Sequence, residues 1–227
     1  MKLKELTERT EVSSATVKYW IREGILPPGR LRNTTTADYD EAHVERIALI
    51  STMRTELGHS IDVIRALTTR IDDPAVQLVS IMDHCQSLAI GLSSDTPGSA
   101  EHTPGSAEHA PGSTEHAPVE QRISEACTRL GWPDTASQAR AALAQVLVQM
   151  DRYGMMPTTD SLIRYGHALG PLAADNVGDS RVRGTRDAVA LGVLIGVTMQ
   201  TRYLVAMNSL AHASASIVRE ASDDRAE

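Results

Sequence analysis

A heptapeptide repeat near the middle of the chain limits what the protein can fold into. Thr-Pro-Gly-Ser-Ala-Glu-His occurs at residues 96–102 and again at 103–109, and the variant Ala-Pro-Gly-Ser-Thr-Glu-His follows at 110–116. Every unit contains Pro-Gly and lacks a large apolar side chain, so this segment cannot bury a core. We therefore expect residues 93–118 to be a disordered linker between an N-terminal part and a C-terminal part.

Composition predicts a soluble, cytoplasmic protein of one large or two small domains. The chain has 227 residues, of which 41% are hydrophobic, and it contains no Phe, so aliphatic residues and Met must form its core. No signal peptide is evident at the N-terminus, and the uncharged apolar stretch Ala188–Thr201 is too short to span a bilayer. Cys85 and Cys127 lie far apart and resemble buried thiols of a reducing compartment, with a thiol sensor as the alternative.

The residue types that indicate catalysis or a cofactor do not form a recognisable pattern. There is no paired acid and base, no nucleophile motif and no phosphate-binding loop, and His167 alone is weak evidence for an enzyme. Three linker histidines recur every seven residues, but flexible histidines are poorly preorganised for a metal; they are His102, His109 and His116. We predict no enzymatic activity, no cofactor and no metal site.

Residues 12–28 have the pattern of a short amphipathic helix. Ser13 is a suitable N-cap, because its hydroxyl can accept one of the unpaired amides that begin a helix. Val17, Ile21 and Ile25 form an apolar stripe. Gly24 is placed where a left-handed residue ends a helix, and Pro27-Pro28 prevents its continuation.

The other face of this helix suits a DNA groove. It carries small hydroxyls and cations, namely Ser13, Ser14, Thr16, Lys18, Tyr19 and Arg22. Small hydroxyls can approach bases and phosphates, and cations offset phosphate charge. The whole chain has a formal charge of −7, but from residue 16 to residue 32 cations predominate, with Arg30 and Arg32 extending the basic region.

The surrounding segments predict a helix-turn-helix with a wing. Residues 3–10 have helical spacing and precede a tight turn at residues 11–13. Residues 29–39 are polar, tolerate β structure and include both arginines of the basic region, so we interpret them as a short β ribbon. Asp40 caps a third helix that Gly58 ends, and Ser60 caps a fourth.

A fifth predicted helix, residues 74–92, has the spacing of a coiled-coil seam. Its apolar residues step by three and four, in the order Leu78, Ile81, Cys85, Leu88 and Leu92. This spacing favours pairing of two subunits along the helix. The alternative is that the stripe packs within its own subunit.

Residues 119–227 are helical by pattern and form the predicted effector domain. The segment Ala188–Met199 is apolar on nearly all sides and predicts the central helix of a bundle. Adaptable methionines and aromatic residues in this region suggest a pocket for an apolar or drug-like ligand, at Met150, Tyr153, Tyr165, His167, Met199 and Tyr203. The alternatives are that Met merely fills a core without Phe, or that this domain docks a protein partner in an architectural regulator without a ligand.

Several motifs in order resemble the winged helix-turn-helix domain of the MerR family of transcription regulators. The similar segments are Met-Lys-Leu-Lys-Glu-Leu at residues 1–6, Val12-Ser13, Thr16–Trp20, Glu23–Pro28, Tyr39-Asp40-Glu41 and Glu56–Ile61. The resemblance implies an all-α fold with a small β wing and a homodimer. It also implies that the dimer bends and untwists promoter DNA to realign the elements that RNA polymerase contacts, with Tyr39 among the DNA-binding residues.

The expected organisation follows from this resemblance together with the patterns above. Residues 1–73 form the DNA-binding domain, 74–92 the dimerisation helix, 93–118 the linker and 119–227 the effector domain. The chain departs from the family at three places: Glu11 stands where a Gly is usual, Lys18 replaces an Arg, and Thr35-Thr36-Ala37 replaces a wing Gly-Tyr-Arg. Arg30 or Arg32 would then supply the phosphate contact of the wing.

Overall fold

The computed structural model describes residues 1–32, 37–91, 117–179 and 184–223, which are mainly α-helical. The elements in chain order are α1 (Leu3–Thr10), α2 (Ser14–Arg22), β1 (Arg30–Leu31), β2 (Ala37–Asp38), α3 (Glu41–Ser51), a π-helical turn (Thr52–Glu56), α4 (Ile61–Asp72), α5 (Leu78–Ala89), α6 (Ala117–Leu130), α7 (Gln138–Arg152), α8 (Thr159–Asp179) and α9 (Arg186–Asp223). The predicted all-α fold with a small β wing is confirmed. Most of the predicted linker lies outside the described residues, as do the histidines of its repeat.

Helix boundaries follow the caps that the sequence predicts. Ser13 Oγ accepts a hydrogen bond from the amide of Thr16 at 3.1 Å, and Asp40 and Ser60 cap α3 and α4 in the same way. Gly24 and Gly58 adopt left-handed backbone angles where helical structure ends, at φ of +73° and +71°. These predictions are confirmed because a cap depends on residues that are close in sequence.

The first core surrounds the helix-turn-helix. Leu6 of α1 packs with Val17 and Trp20 of α2, and these three side chains are buried. Helices α3, α4 and α5 complete the core with aliphatic side chains, among them Ile47, Ile50, Ile64, Leu67 and Ile81. Burial of this apolar surface holds α2 at a fixed angle on its support.

Helix α5 begins later than predicted. The sequence favoured a start at Pro74, but α5 begins at Leu78. The carboxylate of Asp73 accepts a hydrogen bond from the Ala75 amide at 2.8 Å, and the Asp73 carbonyl accepts one from Val76 at 3.2 Å. These hydrogen bonds form a local turn at residues 73–76. Pro74 therefore lies in the connection between α4 and α5 rather than in the first turn of α5.

A second, smaller cluster joins α6, α7 and α8. Val119, Ile123, Ala144 and Leu147 are buried together there. Arg140 of α7 lies beside Glu120 of α6 and donates a hydrogen bond to Asp134 at 2.8 Å. A Gly-Pro pair often ends a helix, but α8 continues through Gly170-Pro171 to Asp179, and residues 171–176 are exposed. There, water can satisfy the carbonyl that the proline leaves unpaired.

Helix α9 joins the N-terminal core rather than the C-terminal cluster. We expected its apolar first half to form the centre of a C-terminal bundle, but that expectation is wrong. Val189, Ala190, Val193 and Leu194 are buried in the same core as the helix-turn-helix, where α9 packs on α3 and α5. A helix that is apolar on all sides is predicted to be buried, but this pattern does not indicate which elements pack against it.

The second half of α9 projects away from this core. The helix contains 38 residues, which corresponds to a length of about 57 Å. The segment Arg186–Glu220 is long and apolar enough to cross a membrane by length and composition alone. A single such helix is weak evidence for a membrane span, and the packing of its first half on α3 and α5 is that of a core helix.

Candidate DNA-binding surface

The polar face of α2 is exposed and rests on a buried anchor. Val17 and Trp20 fix the inner side of the helix in the core, and Lys18 and Arg22 project into solvent on the other side. The guanidinium of Arg22 lies over the Tyr19 ring, 5.4 Å from its centroid. This contact restrains two of the predicted DNA-binding side chains on one exposed face.

The N-terminal end of α2 presents the predicted small polar groups. Ser13 and Ser14 are exposed, and the hydroxyls of Ser13 and Thr16 lie 2.8 Å apart. The amides at the start of a helix carry partial positive charge, which suits a phosphate. Five of the predicted residues on or beside α2 are therefore exposed, and Thr16 is half-buried on the same side of the structure.

The wing places its two arginines in solvent. Strands β1 and β2 are antiparallel, with Arg30 opposite Asp38 and Leu31 opposite Ala37. The N-terminus extends this ribbon, because the ammonium of Met1 donates a hydrogen bond to the Tyr39 carbonyl at 2.7 Å. Both Arg30 and Arg32 are exposed, whereas residues 33–36 lie outside the described residues.

Tyr39 does not present its ring to DNA, and this prediction is corrected. The side chain is only 8% exposed and contacts His43 edge to face, with the ring centroids 5.1 Å apart. The ring also packs so closely on Gly29 that a Cβ there would lie 2.9 Å from it. Tyr39 therefore supports the base of the wing.

Arg65 of α4 holds the end of α2. Its guanidinium donates hydrogen bonds to the Glu23 carboxylate at 2.7 Å and to the Glu23 carbonyl at 3.1 Å. A carbonyl at a helix C-terminus is unpaired and partly negative, so a cation is favourable there. The orientation of α2 thus depends on α4 as well as on its own buried face.

Arg46 connects this region to α9 through a buried ion-pair network. Its guanidinium contacts the Asp187 carboxylate of α9, binds Asp72 of α4 at 2.5 Å, and donates to the Ile25 carbonyl at 3.3 Å. The Arg46 side chain is 4% exposed. Although burial alone lowers the pKa of Arg46, its hydrogen bonds with Asp72 and Asp187 outweigh that effect and raise it. Burial raises the pKa of the Asp187 carboxyl, and its hydrogen bond with Arg46 opposes that shift.

Two further contacts fix the start of α9 on the same support. Arg186 donates hydrogen bonds to the carbonyls of Ile71 at 2.9 Å and Asp73 at 2.6 Å, at the end of α4. The Thr185 hydroxyl contacts the Glu45 carboxylate of α3 and also caps α9. A displacement of α9 would therefore act on the support of α2.

The predicted dimerisation seam of α5 is filled within the same chain. Ile81, Cys85 and Leu88 are buried in the core that α9 completes, so the intramolecular alternative is correct for them. Leu78 is 42% exposed, and Leu92 lies outside the described residues. Burial raises the pKa of Cys85 to about 12, which leaves little thiolate for a redox reaction.

The six predicted ligand-binding residues do not line a common pocket. Met150 packs beside the α6–α8 cluster. The other five are exposed on α8, on α9 or after α7, namely Tyr153, Tyr165, His167, Met199 and Tyr203. They were grouped by composition, which carries no information on which helix faces meet. No group of three potential metal-ligating side chains occurs in the part of the chain that the structure describes.

The exposed helix, its supports and the adjacent two-stranded ribbon together define a winged helix-turn-helix DNA-binding module. Residues 1–71 match the family model described as MerR HTH family regulatory protein, so this part of the chain is similar to that family. The chain therefore carries the DNA-binding domain of a transcription regulator, a class that is typically not enzymatic. No curated protein matches the chain.

A solved structure has a similar fold along almost the whole chain. It is the crystal structure of SCO5550 from Streptomyces coelicolor A3(2), a candidate transcriptional regulator. The TM-score is 0.62, the sequences are 22% identical, and the alignment covers 95% of this chain and 96% of that one. At this identity the likeness concerns the fold, and it extends beyond the segment that the family model matches.

Sequence reasoning missed the network around Arg46. A signal was present, because Arg46 lies four positions before the apolar Ile50, and residues four apart lie on the same face of a helix. A charged residue on a buried stripe requires a partner of opposite charge. The partner on α9 is 141 positions away, so local patterns could not identify it.

Proposed function

We propose that the protein is a homodimeric transcription regulator that binds promoter DNA through α2 and the wing, then bends and untwists it. The observation that carries this proposal is the exposed face of α2, where Lys18 and Arg22 stand on a helix anchored by Val17 and Trp20. A helix of this kind enters the major groove, while the wing arginines reach the flanking phosphates.

The homodimer is assigned to α9, because the seam of α5 is already buried. The projecting half of α9 carries residues at alternating steps of four and three, in the order Tyr203, Met207, Leu210, Ser214 and Ile217. These side chains are exposed in the single chain. Four of the five are large and apolar, and a sustained seam of this spacing favours pairing of two helices.

Two linked reading heads at a fixed separation provide a physical basis for DNA distortion. A duplex that bends to meet both heads gains contacts that a straight duplex lacks, and the deformation energy depends on its sequence. The proposed outcome is a change in the alignment of promoter elements, with RNA polymerase as the partner that responds. The Arg46 network supports modulation by a small effector, because it joins α9 to the support of α2.

The experiment measures binding of the purified protein to a fluorescent fragment of the region upstream of its own gene. The variant Lys18→Ala/Arg22→Ala should bind more weakly. Its affinity should also depend less steeply on salt, with a slope smaller by about two, because two phosphate contacts are lost. The matched control, Arg152→Ala/Arg164→Ala, removes the same charge from exposed positions on α7 and α8.

Unchanged affinity and slope in the α2 variant, or an equal loss in the control, would contradict this assignment.

A second candidate function is a regulator that docks a protein partner without a small effector. The observation that favours it is the exposure of apolar side chains on α7 and α8, including Leu143, Val146, Leu169 and Leu172. A thermal-shift screen separates the two candidates, because only an effector that binds the native state raises its melting temperature.

A further inference from the structure

The projecting half of α9 is an exposed helix without formal charge. From residue 203 to residue 218 it contains no Asp, Glu, Lys or Arg, and most of its large apolar side chains are exposed. A contiguous exposed apolar surface of this kind marks an interaction site. The same stretch contains the polar residues Asn208, Ser209, His212, Ser214 and Ser216, which are costly in lipid. It is therefore better suited to a protein surface than to a bilayer.

Helix α7 carries a second exposed stripe with the same spacing. Its residues step by four and three, and the last of them is the C-cap; they are Ala139, Leu143, Val146, Met150 and Tyr153. All are exposed except Met150, which is half-buried at the edge of the α6–α8 cluster. This stripe covers residues 139–153 and the α9 seam covers residues 203–217, so each is about 21 Å long. The two surfaces match in length and in spacing.

Helix α8 widens the apolar surface beside α7. Tyr165, Leu169 and Leu172 are exposed along one side of it. Both α7 and α8 pack on α6, but they have little contact with each other, and the buried cluster that joins the three helices contains only four side chains. The three helices thus leave open the place of a fourth helix, which would complete a four-helix bundle.

The α9 helix of the same chain does not occupy that place. Its first half packs on α3 and α5, and its second half is exposed. Helix α7 is attached to the same α5, where the Asp83 carboxylate accepts a hydrogen bond from the Gln138 amide at 3.0 Å. Helices α7 and α9 have little contact with each other. Both matching surfaces are therefore uncovered in a single chain.

We propose that the projecting half of α9 packs on α7 and α8 of a second copy of this chain. The proposal rests on the homodimer proposed above and assigns the surface that the α9 seam contacts. By twofold symmetry the contact forms twice and covers the apolar surfaces of both chains. Pairing of the two α9 helices with each other would form once and leave α7 and α8 exposed. The reciprocal contact buries more apolar area, which favours the more stable dimer.

This arrangement places each α6–α8 unit between the two DNA-binding heads. The unit is joined to its own head through α5, where Asp83 binds the start of α7. It is joined to the other head through the α9 of the second chain, because the first turn of α9 is bound to Arg46 and to the end of α4. A shift of α7 against α9 would therefore change the separation of the heads, and with it the deformation of the duplex.

The test is cysteine cross-linking of the full-length protein. Cys127→Ala removes the half-buried thiol, and burial raises the pKa of Cys85 to about 12, so that thiol is unreactive. One chain carries Val146→Cys and the other carries Leu210→Cys. The two are co-expressed with different affinity tags, and the mixed dimer is purified through both tags. A flexible bismaleimide should join this dimer into a single band of two chains, because the two thiols lie in facing stripes.

The matched control pairs Ala141→Cys with Leu210→Cys, because Ala141 is exposed on the opposite side of α7. This pair should stay at the mass of one chain, and so should dimers in which both chains carry only Val146→Cys or only Leu210→Cys. Cross-linking of Leu210→Cys alone would overturn the proposal in favour of α9 pairing with α9. A mixed dimer that is purified but not joined would also overturn it, while the homodimer itself would stand.

The oligomeric state and DNA binding are measured separately, by sedimentation equilibrium and with the promoter fragment. A monomer would contradict both this contact and the homodimer, and it would leave the apolar surfaces to a different protein or to a membrane. A dimer that does not bind the promoter fragment would contradict the regulator function, whereas the cross-link still decides the contact between α9 and α7.

Discussion

Glu11 occupies the turn between α1 and α2 in a left-handed conformation, with φ of +56°. It alone, among the non-glycine residues that the structure describes, has a positive φ. A side chain with a Cβ is strained by roughly 1–3 kcal/mol in such a conformation, whereas glycine adopts it readily. This explains in physical terms why glycine is usual at this position in MerR-type domains.

We predict that Glu11→Gly stabilises the protein by about 0.5–1 kcal/mol, because relief of strain exceeds the added flexibility of the unfolded chain. The melting temperature should rise by about 1–4 °C in a thermal unfolding scan. Glu8→Gly in the interior of α1 is the matched control, and it should destabilise by about 1 kcal/mol. A lower melting temperature for Glu11→Gly would contradict this explanation.

The residues that sequence could assign are those whose roles depend on near neighbours. Ser13, Asp40 and Ser60 were predicted as caps and are confirmed, and Gly24 was predicted as the end of α2. Tyr39 was misassigned because a motif does not show whether a ring points outward or packs on Gly29.

At the scale of elements, periodicity predicted which faces are apolar but not which faces meet. The apolar stripe predicted on α5 is present, but it packs against α9 of the same chain and not against a second subunit. The apolar half of α9 was predicted to be the central helix of a C-terminal bundle, but it packs in the N-terminal core. Contacts between α5 and α9 span about a hundred residues of chain, and no local pattern carries that information.

The docking of α9 depends on Arg46, so we predict that Arg46→Ala lowers the free energy of unfolding by about 3 kcal/mol. The reason is that the Asp187 side chain, 12% exposed, would remain buried without its counter-ion. The measurement is urea denaturation followed by circular dichroism. Replacing both partners, as in Arg46→Leu/Asp187→Leu, should restore much of the loss.

Arg140→Ala provides the matched comparison, because Arg140 also contacts two carboxylates. Its partners Glu120 and Asp134 are 43% and 33% exposed, so the loss should be at most about 1 kcal/mol. Equal losses for Arg46→Ala and Arg140→Ala would contradict a special role of the buried network in holding α9.

At the scale of the whole molecule, the proposed function requires two chains joined along α9. We predict that Leu210→Glu, which places a charge in the proposed seam, converts the dimer to a monomer without unfolding the N-terminal core. Asn208→Glu adds the same charge beside the seam and should leave the dimer intact. Sedimentation equilibrium distinguishes these outcomes, and a Leu210→Glu protein that remains dimeric would contradict the assignment.

The central claim is that a pair of winged helix-turn-helix modules binds one promoter duplex. The most direct measurement is the mass of the complex between the purified protein and a duplex from its own upstream region, at low and moderate salt. We predict two chains per duplex, with an affinity that falls steeply as salt increases. A protein that stays monomeric and does not bind this duplex even at low ionic strength would contradict the account.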